Sequence, residues 1–418
     1  MKDFTTCLKD YARIGIRLGV NLQPDQSLVI DAPIDAAEFA HLLVEEAYGA
    51  GAKSVQIMWS DPEYERLQLL YESPQTFTKY HAWKQQAYAE MVENKAAFFT
   101  VLAPRPGLFE DVPAEGIHAM QTAALSALRH VRESKMRGQV SWSGLAIPTV
   151  AWANQVFPDE EPDKRITRLW EALFHMTRVD QAHPEHAWRQ HLHDLRRRCA
   201  LMNNAQYHAL RYIAPGTDLT VQLPRRHRWS GGGRFTQDGI FIVPNLPTEE
   251  IFTAPLRTGV HGTVTSTRPL LYAERVIDEF TLTFEQGRVI ECRAGRGLDM
   301  LKALLATDEG AAFLGEVALV PHGSPVSQQG VTFYHPLFDE NASCHLALGS
   351  AYPTSIEGGQ SLPKERLVEQ GINASMIHVD FMMGSKELNV FALTGSDEWV
   401  CLLEHGEWVD SAPPVSHS

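Results

Sequence analysis

Apolar residues in the first part of the chain fall into short runs separated by stretches of helical period. Ser27–Ile34 (SLVIDAPI) reads as a buried strand. The next segment places Phe39, Leu42, Leu43, Ala47 and Ala50 on one helical face, and Gly51 offers a stop. Lys53–Ser60 (KSVQIMWS) is a second strand, so the trio predicts a βαβ unit with a parallel pair. Ala96–Pro104 (AAFFTVLAP) and Gly138–Pro148 (GQVSWSGLAIP) repeat the theme around a helical run near 114–136. Residues 161–204 read as polar-rich helix. Beyond them the texture becomes strand-like. Asp218–Pro224, Gly239–Pro244, Phe280–Ala294 and Glu398–Val409 alternate with period two or turn at glycine. Helices are expected near 297–313, 341–351 and 363–370. The pattern predicts an α/β protein: an N-terminal layered α/β domain with parallel strands over 1–200, and a C-terminal strand-rich α+β domain over 201–418.

At 44% hydrophobic and 21% charged, the composition is that of a soluble globular chain. The net charge of −14 argues against a nucleic-acid or anionic-membrane surface. The five cysteines form no CxxC pair, which speaks for a reduced cytoplasmic setting and against a thiolate zinc site. The first residues lack the apolar core of a signal peptide, and no apolar run is long enough to span a bilayer. No GxGxxG follows the first strand, so a dinucleotide site has no support.

Four segments of the second half carry metal-ligand residue types. Asn245–Pro255 (NLPTEEIFTAP) holds Glu249 and Glu250. Adjacent residues of an extended chain point apart, so one of the pair is expected to face inward. Phe313–Pro321 (FLGEVALVP) places Glu316 where a helix stopped by Gly315 gives way to an apolar strand, at the edge of a core. In Leu337–Pro353 (LFDENASCHLALGSAYP) the acids read as the cap of a helix. His345 and Tyr352, seven positions apart, would then share a face, with Glu340 reaching the same space from the N-terminal end. Ser375–Gly384 (SMIHVDFMMG) puts His378 and Asp380 on one side of a strand whose other side is apolar. Taken singly, the first three also read as solvated or capping charges and a buried histidine. Two polar ligands on the fourth are expensive unless paired or metal-bound. Cys344 beside His345 suggests a thiol nucleophile, but consecutive helix positions diverge. Four histidines between His183 and His193 lack ligand spacing, and Gly231–Gly233 read as a flexible loop. Mixed carboxylate and imidazole suits zinc, cobalt or manganese, and the surplus of carboxylates points to two metals sharing a bridge.

These segments, in this order, resemble the aminopeptidase T / aminopeptidase S / PepS family of metallopeptidases. Tyr11–Val55 adds to the likeness, which covers nearly the whole chain. The resemblance implies a cytoplasmic homodimer of two-domain subunits that releases N-terminal residues from peptides. It implies two divalent metals, zinc or cobalt foremost, with manganese or magnesium as alternatives. The implied ligands are Glu250, Glu316 as a bridge, Glu340, His345, His378 and Asp380. Tyr352 lies close to them, and Glu340 is ligand or acid/base. Glu316, Glu340 and Tyr352 are the expected catalytic residues. A dinuclear phosphoesterase or a non-catalytic α/β binding protein would carry the same residue types, though no arginine clamp for phosphate accompanies the four segments.

Overall fold

The computed structural model describes residues 2–272 and 275–409, apart from the Ala114 side chain. It divides into two compact units. The first comprises the chain to Arg189 together with Gly233–Pro247. The second comprises Gln190–Gly232 and the chain from Thr248 onward. The first boundary falls inside the helix Pro184–Ala205, and the return of Gly233–Pro247 to the first unit is a feature the pattern did not announce.

The first unit is built on four parallel strands, β1 (Ser27–Pro33), β2 (Ser54–Ser60), β3 (Ala97–Leu102) and β4 (Trp142–Ala146), in the order β2-β1-β3-β4. Parallel neighbours need crossovers, and helices supply them: Ala37–Gly49 joins β1 to β2 and buries Phe39, Ala40, Leu43 and Ala47. Val29 and Phe98 pack on one face of the sheet with Val92, Val131 and Val140.

The second unit pairs two antiparallel sheets. Nine strands form the larger, among them the hairpins Ala209–Ala214/Thr217–Gln222 and Arg275–Glu285/Arg288–Arg296. The smaller has five: β5 (Ser230–Gly231), β6 (Ile251–Thr253), β7 (Leu314–Leu319), β8 (His345–Gly349) and β9 (His378–Met382), ordered β9-β8-β7-β6-β5. Alternation assigns its two faces. Ile251, Val317, Leu319, Cys344, Leu346, Leu348, Phe381 and Met383 join the main apolar core with Leu210, Tyr212, Val221, Phe280 and Val390 of the larger sheet. The residues between them point the other way.

Two predicted elements are corrected here. The helix expected over 297–313 ends at Leu305; a 3-10 turn, Glu309–Ala312, then leads into β7, which opens at Leu314. The helix expected over 341–351 is the strand β8, preceded by a short helix, Pro336–Asp339, and a 3-10 turn, Glu340–Ala342. All five residues of β8 are buried, and its short HLALG sequence has too few polar positions to separate strand from helix.

Gly349 closes β8 at φ +104°, and a Cβ there would lie 2.2 Å from the Ile377 carbonyl oxygen. A side chain meets both a left-handed backbone and a backbone clash. Gly349→Ala is expected to cost about 2 kcal/mol or more, read as a lower urea midpoint at unchanged slope.

Candidate metal centre

The outward face of the five-stranded sheet carries the polar residues. Paired positions of antiparallel strands point the same way, so the register maps the site. Phe252, Ala318, His345 and Met382 form one row across β6-β7-β8-β9. Glu316, Ala347 and Asp380 form the next, and Gly349 opposite His378 the third. Glu250, two residues before Phe252, enters from the start of β6. The positions between the polar groups are alanine or glycine, so nothing bulky fills the floor.

Glu316 is the third residue of β7, the central strand, and 4% exposed, where its sequence position suggested a strand start at the edge of a core. Its Oε1 lies 3.6 Å from His345 Nε2 and its Oε2 lies 3.8 Å from His378 Nε2. Glu250 Oε2 is 3.1 Å from His345 Nε2, and Asp380 Oδ1 is 3.4 Å from His378 Nε2. Two groups result, Glu250–Glu316–His345 and Glu316–His378–Asp380, with ligand atoms of each within 4.8 Å of one another. Glu316 belongs to both and offers one oxygen to each.

These residues fit divalent metal. Glu250 Oε2, Glu316 Oε2 and Asp380 Oδ1 are buried and have no hydrogen-bond partner, despite imidazoles nearby. The other ring nitrogens explain why. His345 Nδ1 lies 3.2 Å from the Ser343 carbonyl oxygen and His378 Nδ1 lies 2.7 Å from that of Ser350. A carbonyl only accepts, so each Nδ1 carries the hydrogen and the neutral ring turns its Nε2 lone pair toward the carboxylates. Lone pairs converging on lone pairs call for a cation.

In the metal-free chain, protons take that place. Burial pushes the Glu316 carboxyl up to about 7, with the charges of Glu250 and Asp380 adding to the shift and His345 opposing it. Burial disfavours charge on His378, but Asp380 and Glu316 outweigh it and lift the ring to about 10. For Asp380, burial is outweighed by His378 and His345, which hold its carboxyl below its ordinary value.

Glu340 belongs to neither close group. It stands on the 3-10 turn before β8, partly open to solvent. Burial of its carboxyl, followed by repulsion from Glu250 and Asp380, drives its pKa well above the ordinary range. Tyr352 follows β8 and shares no helical face with His345. Its ring instead meets the His378 imidazole edge-on at 5.0 Å. Burial, reinforced by Glu316 and Asp380, keeps its hydroxyl protonated.

Both glutamates of the first segment turn inward, where one was expected. Glu249, 4% exposed, has its Oε2 3.5 Å from Nε2 of His191 on the helix Pro184–Ala205, and that nitrogen is 2.7 Å from the Thr248 carbonyl oxygen. The Glu249 N–H donates to Asn341 Oδ1 at 2.7 Å, and Asn341 Nδ2 donates to the Leu337 carbonyl. Asn341 thereby ties the Glu250 loop to the turn bearing Glu340. Neither His191 nor Asn341 carries a ligand-spacing signal, so spacing does not single them out. Cys344 faces the core, opposite His345, as neighbours on a strand must. Its Sγ bonds the Val320 backbone and burial lifts its thiol to about 11, which rules out a Cys–His nucleophile.

The comparisons agree with this chemistry. Residues 4–408 match the family described as thermophilic metalloprotease (M29). The chain is 42% identical to aminopeptidase AmpS of Bacillus subtilis (strain 168) over 408 residues, 98% of this chain and 100% of that protein. It is 45% identical to aminopeptidase 2 of Geobacillus stearothermophilus over 401 residues, 96% and 97% of the two chains. Its structure superposes on that of wild-type AmpT from Thermus thermophilus with a TM-score of 0.92 at 37% identity, covering 97% of this chain and 100% of that one. The chain belongs to the M29 family of thermophilic metalloproteases.

Proposed function

We propose that this chain removes N-terminal residues from peptides with the help of two divalent metals, which Glu250, Glu316, His345, His378 and Asp380 would hold. Metal-dependent aminopeptidase activity follows from the family and from full-length likeness to curated aminopeptidases, and it displaces the phosphoesterase and binding-protein readings. The dinuclear reading rests on one observation: the two oxygens of Glu316 face two separate ligand groups. Glu250 and His345 would complete one group, His378 and Asp380 the other. Bound there, the metals would supply Lewis acidity for the scissile carbonyl and lower the pKa of a water.

The remaining work falls to the chain. Ser343 and Ser350 hold the imidazoles by their Nδ1 hydrogens, so the Nε2 atoms stay aimed inward. Glu340, outside the close groups and partly open, takes a proton from the attacking water on its carboxylate and passes it to the leaving amine nitrogen. The Tyr352 hydroxyl donates to the oxygen of the tetrahedral species. The use of zinc or cobalt, the homodimer and the cytoplasmic setting rest on the family likeness. Among the described residues no helix is long and apolar enough to cross a membrane.

Peptidase rate and bound metal, measured on one chelator-stripped and reconstituted sample, test the reading. Activity should return in step with metal and saturate near two equivalents; full rate in the stripped sample would sink it. Metal must also compete with protons. The Glu316 carboxyl, raised to about 7, and the His378 ring, raised to about 10, release protons before ligating. Apparent metal affinity is therefore expected to rise with pH from 6 to 8, as measured by calorimetric titration.

A further inference from the structure

Phe252 is a large apolar side chain on the metal-bearing face that is left partly exposed. It sits on β6 two residues after Glu250 and opposite Ala318. Met382, at the far end of the same row, is buried, and the positions between the polar groups are small. An aromatic ring left partly wet beside a charged centre gains little in the empty protein, and a bound apolar group would cover it.

The ring also stands in line with the reacting groups. Phe252 and Tyr352 have ring centroids 5.7 Å apart at an interplanar angle of 55°, and Tyr352 meets His378 at 5.0 Å. A continuous aromatic wall thus runs from a metal ligand, through the hydroxyl-bearing ring, to Phe252. In a peptide the side chain of the N-terminal residue leaves the carbon bonded directly to the scissile carbonyl. With that carbonyl in reach of the Tyr352 hydroxyl, the side chain falls within a few ångström of the next ring along the wall.

We infer that Phe252 is a specificity-determining residue, the wall of the subsite for the N-terminal side chain, and that it selects apolar residues such as leucine and phenylalanine over alanine and glycine. The inference rests on the aminopeptidase reading above. Contact between a branched or aromatic side chain and the Phe252 ring removes apolar surface from water on both partners. The enzyme should feel the loss of that contact as a change in selectivity between substrates. Phe252 belongs to neither candidate metal group, so its removal should leave metal binding in place.

The test is a set of kcat/KM values for glycine, alanine, leucine and phenylalanine p-nitroanilides with wild type, Phe252→Ala, Phe252→Leu and Phe252→Trp, each with its bound metal measured. For Phe252→Ala the leucine-to-alanine ratio of kcat/KM is expected to fall about tenfold or more. Phe252→Leu should restore most of the ratio. Phe252→Trp should turn against phenylalanine by crowding the subsite, with metal content at the wild-type level in all three. An equal loss on every substrate, or a ratio unchanged within twofold, overturns the assignment. If metal-loaded wild type cleaves none of the four anilides, the aminopeptidase reading itself fails, and that result is distinct from an unchanged ratio.

Discussion

Glu316→Gln is expected to empty both metal positions at once. The two groups share only this residue, and an amide offers one weak oxygen where the carboxylate offers two charged ones. Removing a residue that only orients a ligand weakens metal binding by about 10–100-fold, so losing the shared ligand should exceed that range. The peptidase rate should fall by roughly three orders of magnitude, which corresponds to about 4 kcal/mol of transition-state stabilisation. Glu250→Gln and Asp380→Asn serve as controls, since each disturbs one group and should retain metal in the other. If Glu316→Gln kept two metals per chain, the shared-bridge reading would be wrong. The same variant should have the opposite effect on the metal-free protein. There the buried Glu316 carboxyl, with its pKa raised to about 7, contributes to stability fully below the ordinary value of 4.5 and loses that contribution as pH rises through 7. Glutamine has no proton to lose. Metal-free Glu316→Gln should therefore melt above metal-free wild type, by a margin that widens from pH 6 to pH 8 in thermal unfolding.

Glu340→Gln should separate binding from chemistry. Glu340 lies in the field of Glu250, Asp380, His345 and Glu316 yet joins neither close group. An amide of the same size keeps the packing and removes the proton-carrying function. Metal content is expected to stay near wild type while kcat falls by about a hundredfold to ten-thousandfold, the range for a general acid or base. The acid–base limb that this carboxyl contributes to the pH profile of kcat should vanish with it. Loss of metal in this variant would instead make Glu340 a ligand.

The sequence displayed some of this and hid the rest, for physical reasons that differ by residue. His378 and Asp380 were legible because β9 alternates polar and apolar positions from His378 to Phe381. The βαβ start was legible for the same kind of reason: Ala37–Gly49 shows a clear apolar face between two strand-like runs. His345 is among the candidates the sequence offers, but the sequence pattern puts it on a helix where the structure has a strand. β8 is buried along its whole length, and small residues beside the metal face removed the alternation that would have marked it as a strand. Glu249 was read as surface charge because its partner, His191, lies far away in the sequence on a helix whose other histidines lack ligand spacing. Gathering the segments into one site needed the family likeness at the sequence level. The structure supplies the missing step as sheet register: Ala347 opposite both Glu316 and Asp380 brings residues from three segments into one row.

The order of the candidate ligands along the chain sets a timetable for synthesis. Glu250, Glu316 and His345 are made first, and they form one complete group. His378 and Asp380 come last, on the strand that finishes the edge of the five-stranded sheet. At about 5–20 residues per second a ribosome extends the chain from His345 to Asp380 over several seconds. Until His378 and Asp380 are added, the chain contains the residues of the Glu250–Glu316–His345 group and lacks those that complete the other. On the two-metal reading, the second position could fill only once β9 has joined the sheet, so its loading would report that this strand is in place.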